Sequence, residues 1–120
     1  MISFLKKYIN KFRYAFAGLF DGICKDSSIL LQCCIGLIVI VVCFFLSLEI
    51  WEWVVILMAI GSVIALEFIN SAIETVVDMV SPKYSEGAKK AKDYAAAAVL
   101  VMSMIAAIAG ILIIGGKFLC

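Results

Sequence analysis

From Ile29 to Leu48 the chain runs about 20 residues with one strongly polar side chain, Gln32, which is the length a helix needs to cross a hydrocarbon core about 30 Å thick. Two further apolar stretches follow, one from about 53 to 74 and one from about 94 to 114. Three such segments in 120 residues leave little chain for anything else. Hydrophobic residues make up 66% of the sequence, against about 45–50% in soluble domains. A soluble domain of this length buries one modest core and could not cover so much apolar surface. The expected fold is therefore an all-α integral membrane protein, one domain over 1–120. No repeat, low-complexity tract or flexible linker divides the chain.

The first segment differs from the spans. Over residues 2–21, Phe4, Leu5, Tyr8, Ile9, Phe12 and Phe16 recur at helical spacing, while Lys6, Lys7, Asn10, Lys11 and Arg13 mostly take the other side. A basic amphipathic helix of this kind lies in the membrane interface. It lacks the compact apolar centre and small cleavage residues of a signal peptide. Lys25-Asp26-Ser27-Ser28 then breaks the pattern, and Ser47–Ile50 reads as a short turn between spans one and two. Trp51 and Trp53 beside Glu49 and Glu52 resemble an interfacial belt. Span two is expected to continue as helix to Val80, where Ser81-Pro82 stops it. Lys83–Lys92 reads as a polar loop. Ala95–Ala98 at the start of span three would allow close helix contact. Of the ten basic residues, only Lys117 falls on the side opposite the N-terminal segment and the Lys83–Lys92 loop. The positive-inside rule puts those two basic regions in the cytoplasm.

One feature does not belong in an ordinary span. Glu67, Asn70, Glu74 and Asp78 continue the second apolar run, and at 100° per residue they fall at about 0°, −60°, −20° and +20°, on one narrow face. Ionised groups at membrane depth are costly, rare and usually functional. Glu67 lies about 21 Å along the helix from Trp53, inside the bilayer near its far face, with Glu74 at the boundary and Asp78 just beyond. Asp26, Lys92 and Asp93 belong to the same level. Oxygen ligands from acids and an amide suit magnesium, which typically uses one or two carboxylates plus substrate phosphates. A nearby Lys can meet phosphate oxygens, and a Glu at this depth suits a general base. Together these fit phosphoryl transfer, which depends on positioning and charge neutralisation. Taken singly, Asp78, Lys89 and Lys90 could be no more than snorkelling or paired helix ends. Three spans cannot easily enclose a polar stripe, so an oligomer is the economical arrangement.

Other chemistry is poorly supported. The five cysteines form no C-x-x-C pair and there is no His, so zinc spacing is absent and the thiols read as small hydrophobes. No Walker-type or dinucleotide glycine motif is present. A net charge of +1 gives no case for a nucleic-acid partner. A small proton-coupled transporter is the main alternative, but such proteins usually have four spans and an acid near the bilayer centre.

The run Glu67-Phe68-Ile69-Asn70-Ser71-Ala72-Ile73-Glu74-Thr75-Val76-Val77-Asp78 resembles the signature E-x-x-N-[ST]-A-I-E-x-x-V-D of the prokaryotic diacylglycerol kinase family, which includes undecaprenol kinases. Ala91-Lys92-Asp93 followed by Ala96-Ala97-Ala98-Val99-Leu100 is similar to the family's second motif. Length, N-terminal helix and span count match over nearly the whole chain. The resemblance implies a homotrimeric enzyme of the bacterial inner membrane that moves the γ-phosphate of magnesium-ATP onto a lipid hydroxyl. It implies Glu67 as general base, and Glu74 with Asp26 as metal ligands. It implies nucleotide or phosphate roles for Asn70, Asp78, Lys92 and Asp93, and for the aromatic positions Tyr14 and Tyr84. Asp26 stands where relatives usually have Glu, Ser85 where they often have His, and Gln32 lacks a charge that some carry. Val80-Ser81-Pro82-x-Tyr84 looks more like the undecaprenol branch than the diacylglycerol branch.

Overall fold

The computed structural model describes residues 1–119; Cys120 lies outside the described residues, and with it any role for that thiol. Four helices follow in chain order: α1 (Ile2–Lys25), α2 (Ser27–Phe44), α3 (Ile50–Val80) and α4 (Glu86–Leu119). Among the described residues there is no strand. The last three helices are long and apolar enough to cross a membrane.

The helix ends are set by local chemistry. Asp26 closes α1 and opens α2: its N–H donates to the Gly22 carbonyl at 2.9 Å, and its Oδ1 accepts from the N–H groups of Ser28 and Ile29 at 2.9 and 3.2 Å. The expected break over 25–28 therefore shrinks to this one residue. α2 stops at Phe44, short of 48, because the N–H groups of Phe45 and Leu46 turn back to carbonyls three residues earlier. α3 starts at Ile50 rather than 53, behind a reciprocal capping box between Glu49 and Glu52. It ends at Val80, just before Ser81-Pro82, as the sequence suggests.

The largest departure is at the start of α4. Much of the expected Lys83–Lys92 loop is helix. Ser85 Oγ accepts from the Ala88 N–H at 3.1 Å, and Lys89 reaches Asp93 at 2.6 Å one turn on. The polar composition reflects an exposed first turn of helix, not a loop.

α3 and α4 share the main interface and run antiparallel. Ion pairs join them at both ends: Lys92 to Asp78 at 2.5 Å, and Lys117 to Glu52 at 2.7 Å. Buried Cys43, Ile56 and Ile113 form the core near the second pair. α2 approaches α3 through Gly36, where a Cβ would stand 2.7 Å from Ile60 Cγ2. No α1 residue is buried, and its contacts fall chiefly on α2. The molecule measures 53 × 47 × 22 Å. The 34 residues of α4 account for the longest dimension at about 1.5 Å each. Helices packed 8–10 Å apart need only about 30 Å of width, so α1 projecting sideways accounts for the second.

Candidate active site

The buried residues of α3 are Glu52, Ile56, Val63 and Glu67, spaced to make one stripe along the helix. Glu67 thus ends a packed apolar row, only 7% exposed, and no ion pair reaches it among the described residues. One turn on, Asn70 Nδ2 donates to Glu74 Oε1 at 3.1 Å, while Asn70 Oδ1 is buried with no partner. Glu74 itself is exposed.

Asp26 joins this face from the α1–α2 junction. Its Oδ1 is the cap of α2, and its Oδ2 accepts from the Ser71 hydroxyl on α3. That hydroxyl is the main reason the Asp26 carboxyl is held below the usual aspartate range; partial burial opposes it, and the Ile29 and Ser28 N–H groups add to it. Asp26, Ser71 and Glu74 line one solvent-open cavity of about 600 Å³, with Gly18, Asp21 and Gly22 of α1 on its other side. Gly22 lets α1 and α3 approach closely there, because a Cβ would meet the Phe68 ring and lie 3.2 Å from Ile29 Cδ1.

Asp78, Lys92, Asp93 and Tyr84 lie apart, around a smaller cavity of about 360 Å³ at the α3–α4 junction. Lys92 is tied to Asp78 and Asp93 to Lys89. Tyr84 is 79% exposed, and Tyr14 is 70% exposed and lines neither cavity. The single chain therefore brings Asp26 to Glu74, and Asp78 to Lys92 and Tyr84, but leaves Tyr14 outside both groups.

The sequence matches the prokaryotic diacylglycerol kinase family over residues 13–114. The chain belongs to that family. It is 34% identical over 109 residues to the undecaprenol kinase of Bacillus subtilis, covering 91% of this chain and 89% of that one. It is 33% identical over 104 residues to a diacylglycerol kinase of Haemophilus influenzae, covering 87% and 88%. It is 38% identical over 100 residues to a diacylglycerol kinase of Synechocystis, covering 82% of this chain and 57% of that one. The transporter alternative falls with these matches.

Among the described residues no three acids or thiols converge closely enough to cage an ion. A kinase of this family does not need such a cage for magnesium, since one or two carboxylates suffice when substrate phosphates complete the shell. The pair Asp26 and Glu74 on an open polar cavity fits that donor set.

Three features escaped the sequence reading of this family member. Ser71 occupies the [ST] position of the signature, yet nothing in the pattern shows that it meets Asp26, 45 positions away. Asp26 before Ser27-Ser28 and an apolar run is a helix-cap signature, and that could have been read. Ser85, read from the sequence only as part of a loop, caps α4.

Proposed function

We propose that this lipid kinase transfers the γ-phosphate of magnesium-ATP to the primary hydroxyl of a membrane lipid at the cytoplasmic face of the bacterial inner membrane. The observation that carries this reading is Glu67, a buried acid without an ion pair, on the helix face that leads through Asn70 to Glu74 and the Asp26 cavity. Glu67 takes the proton of the lipid hydroxyl. The freed oxygen forms its bond to the γ-phosphorus, the bond from that phosphorus to the β–γ bridging oxygen breaks, and ADP leaves with the electron pair. Glu67 and Glu74 are seven residues apart, about 10 Å of helix, so the acceptor and the charged phosphates occupy different depths. Asn70 holds Glu74 in place and keeps its Oδ1 for a donor that arrives with substrate. Glu74 and Asp26 would hold magnesium, which neutralises charge on the phosphates when bound. Lys92, oriented by Asp78, and Asp93, Tyr84 and Tyr14 serve the nucleotide.

Orientation and assembly belong to the same proposal. The N-terminal segment and the α3–α4 junction face the cytoplasm, and α1 lies in the interface. Lys117, the one basic residue at the opposite end, is paired with Glu52 and so opposes that orientation weakly. A homotrimer would close neighbouring helices around the exposed Glu74 and Asp78, and over the apolar groove of about 630 Å³ between α2, α3 and α4.

Undecaprenol is the favoured lipid, on the strength of Val80-Ser81-Pro82-x-Tyr84, which makes cell-wall carrier metabolism the favoured role over diacylglycerol return to phospholipid synthesis. Labelled ATP with each lipid separately, in magnesium-containing mixed micelles, tests both levels. Transfer to neither lipid by folded protein would end the kinase reading. Transfer to diacylglycerol alone would reverse the lipid assignment.

A further inference from the structure

The basic residues of this chain divide into two groups. Lys25, Lys89, Lys92 and Lys117 each hold an acid of the chain, Asp21, Asp93, Asp78 and Glu52, at 2.9, 2.6, 2.5 and 2.7 Å. Lys83 and Lys90, around the start of α4, hold none, and Lys90 stands over the Tyr94 ring. Lys6, Lys7, Lys11 and Arg13 also hold none, and no acid precedes Asp21. These last four lie on α1, the helix that packs least.

Their placement is ordered. Of the four helices, α1 segregates its apolar and polar residues most strongly. At about 100° per residue, Leu5, Tyr8, Ile9, Phe12, Phe16 and Leu19 fall within an arc of about 100°. Lys6 and Arg13 lie about 40–60° beyond one edge of that arc and Lys11 about 60° beyond the other, while Lys7 sits on the opposite face. The Lys11 ammonium stands 5.5 Å from the Tyr8 ring centroid, so its stem runs along the helix surface. Cations on both rims of an apolar face are placed to meet headgroup phosphates when that face enters the acyl boundary.

We propose that the two basic rims of α1 bind anionic phospholipid headgroups, and that this seating sets the geometry of the Asp26–Glu74 cavity. The charge complementarity is direct: the unpaired cations of α1 meet a surface whose negative potential draws Lys and Arg and fades within a Debye length. The link to the site is structural. The last turns of α1 supply Gly18, Asp21, Gly22 and Lys25 to the wall of that cavity, and Gly22 packs on Phe68 of α3. Tilting α1 against the bundle changes that wall. The binding half of the proposal is independent of the proposed function; the coupling half rests on it.

The test uses the full chain in phosphatidylcholine vesicles carrying undecaprenol or diacylglycerol as acceptor, with magnesium, with and without about 30% phosphatidylglycerol, at low and high salt. Amide hydrogen exchange over residues 2–13 reads binding without any turnover. It is expected to slow about fivefold with phosphatidylglycerol at low salt, to recover at high salt, and to be indifferent to lipid charge in a K6Q/K7Q/K11Q/R13Q variant. Equal exchange of the wild type in both vesicle types would overturn the proposal. The KM for ATP is expected to fall with phosphatidylglycerol in the wild type only. Exchange protection with a lipid-independent KM would overturn the coupling. Absence of turnover in every vesicle would count against the kinase reading and leave the exchange result standing.

Discussion

The N-terminal end of α3 and its stretch from Glu67 to Glu74 carry the same kinds of residue and treat them oppositely. At the N-terminal end, buried Glu52 receives Lys117 at 2.7 Å and the Glu49 N–H at 2.9 Å, while Glu49 receives the Trp51 ring N–H at 2.6 Å. Every acid there has a partner within the chain. In the C-terminal half, Glu67 is buried without an ion pair, Asn70 Oδ1 is buried without a donor, and Glu74 faces outward. A buried polar atom left unpaired is destabilising. Asp78, at the very end, is held by Lys92, so the unpaired groups of α3 lie between two braces, on the face that runs from Glu67 to Asn70.

The sharpest way to break that comparison is to neutralise each buried acid in turn. Glu67→Gln is expected to lower turnover by about 10²- to 10⁴-fold, the usual loss of a general base, with no fall in the thermal unfolding midpoint. Near-normal turnover would remove Glu67 from the chemistry. Glu52→Gln is expected to do the reverse: the unfolding midpoint drops by several degrees while kcat holds, because the charge pair that joins α3 to α4 is weakened far from the site. If Glu52→Gln instead abolished turnover at unchanged stability, the division of α3 into brace and site would be wrong.

Glu74→Gln sharpens the site half. The magnesium concentration for half-maximal rate is expected to rise about 10- to 100-fold, the range for a lost ligand or its support. An unchanged magnesium titration would argue against ligation by Glu74. Gly22→Ala should have a smaller effect of a different kind. The added methyl meets the Phe68 ring, so α1 must lift from α3, and KM for ATP should rise more than kcat falls. A matching Phe68→Leu change should restore part of the loss.

How much of this was legible beforehand follows a simple physical line. Apolar length and the Pro82 stop are local properties, and they give three spans and the end of α3 correctly. The one-face placement of Glu67, Asn70 and Glu74 follows from helical period alone. What the sequence hid are contacts between distant segments and polar stretches that are helical. Lys83–Lys92 looks like a loop because it is charged, yet the Ser85 cap and the Lys89–Asp93 pair make most of it helix. The Asp26–Ser71 bond joins positions 45 apart, and no periodicity reports it. The separation of Asp78 and Lys92 from the Asp26 cavity has the same origin: one helix face passes two different neighbours.

The smallest expected effect concerns that hidden bond. Ser71→Ala removes the largest cause of the lowered Asp26 carboxyl, leaving the two cap hydrogen bonds in place. A carboxyl whose folded value lies below its unfolded value, about 3.9, contributes stability in full above that value and loses it as pH falls through the folded one. Raising the folded value shrinks that contribution, so Ser71→Ala should lose stability at neutral pH, the loss should fade as pH falls through the folded value, and the acid limb of the stability curve should become shallower. Ser71→Thr, which keeps the hydroxyl, should leave the limb unchanged. Because the same hydroxyl fixes the direction of Asp26 Oδ2 beside Glu74, the alanine variant should also need more magnesium, though far less extra than Glu74→Gln. An unchanged acid limb with an unmoved magnesium titration would mean that the cap alone holds Asp26, and that the tie between α2 and α3 contributes nothing to either end of the comparison.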